Sequence, residues 1–276
     1  QVLFRQYSRF RSARMSSSLS VKECYEAFGL VGLRQDLHRR IIYGSYPDVV
    51  THADNARELL VNLADSYLYK DLLSFDSVRR PELLDKLLIA LALQVGSEVS
   101  YNELARTVGI DAKTIEKYIG LLEKCFVIFR LGAFSRNPRN EIQKGRKIYF
   151  YDTGLVCYLT KWSSAETLES GAMNGAILEN YVVAEIMKTY LNCGKEPYLY
   201  YYRDKDAKEI DIVLEHDGVL NPIEIKKTSN PGTELVKVFD LLDKSSTTRA
   251  KGAVICMKPG LSAIDRENYI VPIWMI

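Results

Sequence analysis

The sequence predicts a mixed α+β or α/β chain: an N-terminal helical region that ends in a winged helix-turn-helix, followed by an α/β domain with a mixed sheet. Three observations predict it. Residues 31–160 carry apolar residues at helical spacing, ending in two capped helices and two short strands. Residues 161–276 run helix, three strands, helix and further strands. Within that second unit, KEIDIVLEHDGVLNPIEIKK (208–227) alternates with period two on both sides of Asp217-Gly218, the dipeptide of a tight hairpin.

Composition narrows the function classes. With 276 residues, 47% of them hydrophobic and 26% charged, the chain reads as an ordinary globular protein long enough for two domains. A net charge of +2 confines any nucleic-acid surface to a local patch. Cys24, Cys125, Cys157, Cys193 and Cys256 stand singly, with no CxxC spacing. That argues against a disulfide framework or a zinc knuckle and fits a reducing cytoplasm. The most apolar run, LLDKLLIALALQVG, carries Asp85 and Lys86 and falls short of the roughly 20 residues of a membrane span, so no membrane partner is expected. Residues 1–30, basic and Ser-rich at their start, lack the apolar core of a secretory signal and read as a flexible segment or the tail of a preceding domain.

From Leu33 to Gln94 the pattern is helical, with Leu59, Leu60, Leu63, Tyr67 and Leu68 spaced three and four apart. Gly44 and Pro47 break the chain, and Pro81 suits the first turn of the next helix. Ser100 and Glu103 form a capping box, Gly109 closes that helix, Asp111 caps the next, and Ile115, Ile119 and Leu122 line its inner face. FVIFRLGAF and KIYFYDTGL read as strands joined by a wing that holds Arg136, Arg139, Lys144, Arg146 and Lys147 against Glu141. Such a wing favours phosphate contacts through release of condensed counterions, which makes DNA a candidate partner. On the second helix Lys113 and Lys117 join those candidates, although Glu116 and Glu123 argue against base reading; docking of a protein partner is the alternative.

The next helix, 171–194, stops at Gly194. At about 100° per residue, Val182, Val183 and Ile186 lie within about 60° of Glu179, while Glu185 points about 120° away. Glu179 therefore sits on the apolar face, where a carboxylate must be paired, hydrogen-bonded, protonated or on a metal. In the following strand Ile210, Ile212 and Leu214 alternate with Glu209, Asp211 and Val213. A two-residue turn pairs His216 with Val219 and, counting back, Asp211 with Glu224. Like charges opposite one another repel, so Lys226 or a divalent cation with hard oxygen ligands should offset them. Pro222 removes a ladder donor and predicts a bulge or an edge position. A helix in PGTELVKVFDLLDKS and strands in GAVICMK and NYIVPIWMI complete the chain. His38, His52 and His216 form no metal-spaced pair or catalytic triad and read as surface or core residues.

These residues resemble the PD-(D/E)XK nuclease-like superfamily: Glu179 matches its first-helix acid, Asp211 its strand acid, and Glu224 with Lys226 its (D/E)-x-K. More closely, GSYPDVV, YLYKDLL, LARTVGIDAKTIEKYIGLLEKCFVI, KIYFYDTGL, GAILENYVVAEI, YYYRDKDAKEIDIVLE and IEIK resemble the C-terminal region of bacterial and archaeal AAA+ superfamily ATPases that end in a domain of unknown function. The likeness spans about residues 30–240. It implies a restriction-endonuclease-like domain over 161–276, with Mg²⁺ on Asp211 and Glu224, Glu179 completing or supporting the shell, and Lys226 acting on water or on the charge of the phosphorane. It also implies a P-loop ATPase domain in cis or trans, with residues 1–30 as its tail. No GxxxxGK[ST] occurs, so ATP would bind only outside this chain. The competing expectation is a non-catalytic regulatory or interaction module in which the acids and lysine form a structural ion cluster. A homo-oligomer is compatible with either.

Overall fold

In the computed structural model, which describes residues 18–65, 80–135, 145–244 and 247–276, the chain opens with helix α1 (Val21–Tyr43). Ser20 Oγ accepts from the Glu23 amide while the Glu23 carboxylate accepts from the Ser20 amide, the reciprocal pair that starts a helix. Gly29, at φ 68°, kinks α1, and Gly44, at φ 83°, ends it. Residues 18–30 belong to the folded body: Leu19, Val21 and Cys24 are buried, and the Leu19 amide donates to Ser45 O at 2.7 Å. Their Ser-rich text hides this, because the anchoring groups lie far along the chain.

Helices α2 (Pro47–Thr51), α3 (Ala56–Leu63) and α4 (Pro81–Ala92) follow, the last with its proline in the first turn as expected. Tyr67 and Leu68 lie outside the described residues. In α5 (Tyr101–Val108) Ser100 Oγ accepts from the Glu103 amide, one half of the expected capping box, and Gly109 closes the helix in the left-handed region at φ 86°. Asp111 caps α6 (Ala112–Lys124), and Ile115, Ile119 and Leu122 are fully buried on its inner face. None of the described helices is long and apolar enough to cross a membrane.

Strands β1 (Ile128–Ala133) and β2 (Arg146–Phe150) pair antiparallel, as the sequence predicts. Of the segment between them that the sequence reads as a wing, Arg136, Arg139 and Lys144 lie outside the described residues. The chain continues through α7 (Thr153–Leu159), α8 (Ala165–Glu169) and α9 (Asn174–Asn192). Then come β3 (Tyr198–Arg203), β4 (Glu209–His216), β5 (Val219–Lys226), β6 (Thr248–Arg249), β7 (Gly252–Cys256), β8 (Ser262–Ala263) and β9 (Asn268–Pro272). One mixed sheet runs β2-β1-β3-β4-β5-β7-β9-β8, with β6 beside β5. β1 joins it through a parallel contact with β3, Gly132 opposite Tyr200 and Ala133 opposite Tyr201. The sheet thus crosses residue 160, where the sequence pattern changes from one unit to the next.

The sheet is covered on both faces. Ile212, Ile223, Ile225 and Ile255 share the large core with Ile177, Leu178 and Val182 of α9. Ile210, Val213, Leu220 and Val254 pack instead with Val236, Phe239 and Leu242. Those last three lie in a 3₁₀ helix, Thr233–Lys244, within the segment where the sequence predicts a helix. Their spacing of three residues matches a helix with three residues per turn, so all three reach the core.

The hairpin keeps its expected register from His216–Val219 to Ile212–Ile223, where the ladder ends, one step short of the expected Asp211–Glu224 pair. Asp217 and Gly218 both take positive φ, 51° and 74°. The irregularity lies elsewhere than Pro222 predicts. Against β3, Tyr200 faces Val213 and Tyr202 faces Ile210, so Asp211 and Ile212 together oppose Tyr201 in a β-bulge. This breaks the expected alternation and puts Ile210 and Ile212 in different cores. Pro222 sits inside the sheet. The Ile225 amide points to β4, so by alternation the Pro222 nitrogen faces the other way. There β6 covers only Val219 and Leu220 while β7 begins at Ile223, and the missing donor falls in that gap.

Candidate functional site

The bulge in β4 delivers Asp211 to the end of the hairpin ladder. Its Oδ2 accepts from the Ile225 amide at 2.7 Å and from Lys226 Nζ at 3.3 Å, and Lys226 Nζ also meets Glu224 Oε2 at 2.8 Å. Glu224 and Lys226, two residues apart on β5, project from one face of the strand. Two carboxylates therefore share one ammonium. Asp211 has a backbone amide as well, so the shortfall of positive charge falls on Glu224. Burial, followed by the charge of Asp211, pushes the Glu224 carboxyl up to about 7 against the pull of Lys226. Its Oε1 is buried with no hydrogen-bond partner among the described residues. Burial opposes the charge on Lys226, but Asp211 and Glu224 outweigh it and raise its pKa above the usual lysine value.

Glu179 of α9 belongs to an adjoining group. Its Oε1 accepts from Tyr149 OH at 2.6 Å and from Lys147 Nζ at 3.3 Å, and Lys147 Nζ also reaches Glu209 Oε1 at 2.5 Å. Burial pushes the Glu179 carboxyl up, Lys147 draws it back, and Asp211 adds a repulsive push. Asp211 thus lies within electrostatic reach of Glu179, although no hydrogen bond or ion pair among the described residues joins Glu179 to Asp211, Glu224 or Lys226. Arg203 extends the group outward, 3.9 Å from Glu209 and 3.6 Å from Glu98.

The expected residues are therefore sorted into places. Asp211, Glu224 and Lys226 are in contact, with Glu179 beside them. Lys147, which the sequence reading puts on the wing, is buried inside the second group, while Arg146 next to it is exposed. Lys113 and Lys117 are exposed on α6. Glu123 is bound at both oxygens by Arg130, at 2.7 and 2.6 Å, which removes one of the acidic charges counted against that helix.

Sequence reasoning misses the roles of Lys147, Tyr149 and Glu185. Lys147 and Tyr149 stand at i and i+2 on β2 and so share a face, a signal present in the text. Glu185, expected to point away from the apolar face, is 1% exposed. It binds the Val21 amide at 2.6 Å, Lys188 at 2.7 Å and Arg40 at 3.3 Å. Helix α9 is enclosed by α1 as well as by the sheet, so one apolar stripe does not describe it.

Fold and site together define a mixed α/β protein with an acid–lysine hairpin at the centre of its sheet. Residues 34–166 match the family described as Domain of unknown function (DUF8612), and residues 174–276 match Domain of unknown function (DUF4143). An uncharacterized protein of Mycobacterium tuberculosis is 30% identical over 141 residues, 51% of this chain and 31% of that protein. Uncharacterized proteins of Haemophilus influenzae and Methanocaldococcus jannaschii are 25% and 27% identical over 179 residues, 62% and 63% of this chain and 41% and 36% of their own lengths. The matched part thus spans well under half of each of these relatives. No solved structure matches the chain.

Proposed function

We propose that this chain is the C-terminal module of an ATPase-type protein, a winged helix joined to a restriction-endonuclease-like domain, which acts on DNA in the cytoplasm through a Mg²⁺-dependent nuclease-like site. The observation that carries this reading is the contact of Asp211, Glu224 and Lys226 at the bulged end of the hairpin. Bulges next to functional sites commonly re-aim a side chain. The residues fit the ion. Glu224 offers a buried oxygen with no hydrogen-bond partner among the described residues, and a carboxyl pushed up to about 7 marks a place short of positive charge. Among the described residues no three His, Cys, Asp or Glu side chains are grouped to hold a metal, but Mg²⁺ ordinarily takes one or two carboxylates and completes its shell with water and phosphate. Asp211 and Glu224 would hold it, and bound there it would supply Lewis acidity at the phosphoryl group.

The chain's own residues divide the remaining work. Lys226, in contact with both acids, would act on the attacking water or stabilise charge that develops on phosphoryl oxygens. Glu179 supports the Asp211 side of the site. Exposed Lys113 and Lys117 of α6, with Arg146 and the wing residues Arg136 and Arg139, would meet the DNA backbone. ATP would act only through a partner domain outside this chain.

A second reading has its own support, because each acid already meets a lysine of the same chain. On that view the cluster is structural, and α5–α6 dock a protein partner. Incubating single- and double-stranded DNA with Mg²⁺ or Mn²⁺ separates the two. The nuclease reading expects metal-dependent cleavage that Lys226→Ala lowers by about 10²–10³-fold and Asp211→Ala removes. No cleavage, or variants that cut like the wild type, leaves the structural cluster.

A further inference from the structure

The site holds two lysines in different circumstances. The Lys226 side chain is 40% exposed, with its ammonium at the solvent-facing end of the acid pair. The Lys147 side chain is 7% exposed, with its ammonium set between Glu179 and Glu209 and 5.4 Å from the centre of the Tyr201 ring. Tyr149, two residues further along the same strand, holds the same Glu179 oxygen. Glu179 and Glu209 set two carboxylates around one buried monovalent cation, the number a divalent ion completing its shell with water ordinarily takes, although no third acid is grouped with them among the described residues.

We infer that Lys147 is a built-in cation that withholds Glu179 and Glu209 from divalent metal, so that the acid–lysine site takes one ion and not two. The inference rests on the metal-binding reading of Asp211 and Glu224. It assigns to residues 34–166 a direct part in a site whose acids all lie in residues 174–276. Lys147 acts through Glu179 and Glu209 and is a positioning residue.

The test counts Mn²⁺ equivalents bound by the full chain, read by electron paramagnetic resonance of the free ion and by calorimetric titration. Wild type is expected to bind one equivalent, lost in Asp211→Ala. Lys147→Ala is expected to bind one more than wild type, Lys147→Arg to bind as wild type does, and Lys147→Ala with Glu179→Gln to lose the gain. A folded Lys147→Ala chain with the wild-type count overturns the inference. So does a wild-type chain with two equivalents, which requires no variant to fold. A wild type that binds none defeats the reading of Asp211 and Glu224, while the gain in Lys147→Ala still reports separately on Lys147.

Discussion

Replacing Glu185 with alanine should be among the most damaging single changes in the chain. The carboxylate is 1% exposed and is the ion-pair partner of both Arg40, 2% exposed, and Lys188, 3% exposed. Its loss leaves two cations in the interior. Removing one partner of a buried pair costs about 3–5 kcal/mol. The Val21 amide also loses its acceptor, which adds about 1 kcal/mol. Arg40 retains Ser45 and Lys188 retains Leu19 O, so neither cation is stripped completely, and a total of about 4–6 kcal/mol follows. Whole domains are stable by only about 5–15 kcal/mol. At about 2–4 °C per kcal/mol for a chain of this size, Tm should fall by about 8–24 °C. Thermal and urea unfolding followed by circular dichroism measure both quantities. A loss under about 1 kcal/mol would refute the argument, since it would mean that water or a rearranged side chain satisfies both cations.

Three other outcomes are expected. Because burial and then Asp211 raise the Glu224 carboxyl from 4.5 to about 7, folding favours its protonated form. Its contribution to stability is therefore full below pH 4.5 and is lost as pH rises through about 7; Glu224→Gln should flatten the dependence of Tm on pH across that window. Phe239→Ala, on the buried side of the 3₁₀ helix, should cost about 3–5 kcal/mol in urea unfolding while leaving the α5–α6 core intact. If Lys113 and Lys117 meet phosphates, replacing both with alanine should weaken DNA binding alike for all sequences and lower the salt slope by about 2; an unchanged slope removes α6 from the interface.

The hairpin was legible because its determinants are local. Asp217-Gly218 sets the turn, and the turn sets the register as far as Ile212 and Ile223 without reference to anything else in the chain. The caps of α5 and α6 are legible for the same reason. What stayed hidden depends on contacts between distant residues. The bulge at Asp211 and Ile212 arises from pairing with β3, and nothing within KEIDIVLEH marks it. Pro222 does announce an irregularity, but one absorbed by the gap between β6 and β7. Lys147 reads as wing by charge and as interior by alternation with Tyr149, and only the proximity of Glu179 and Glu209 decides between them. Glu185 shows the limit of the helical wheel, which assumes one buried side where α9 has more.

The contact between β1 and β3 is two residue pairs long, yet it is where residues 34–166 and 174–276 share a sheet. Severing the chain between those segments would leave β1 and β3 each with a bare row of amides and carbonyls, open to strand addition from any neighbouring molecule. Each half made alone would carry an adhesive margin and tend to clump.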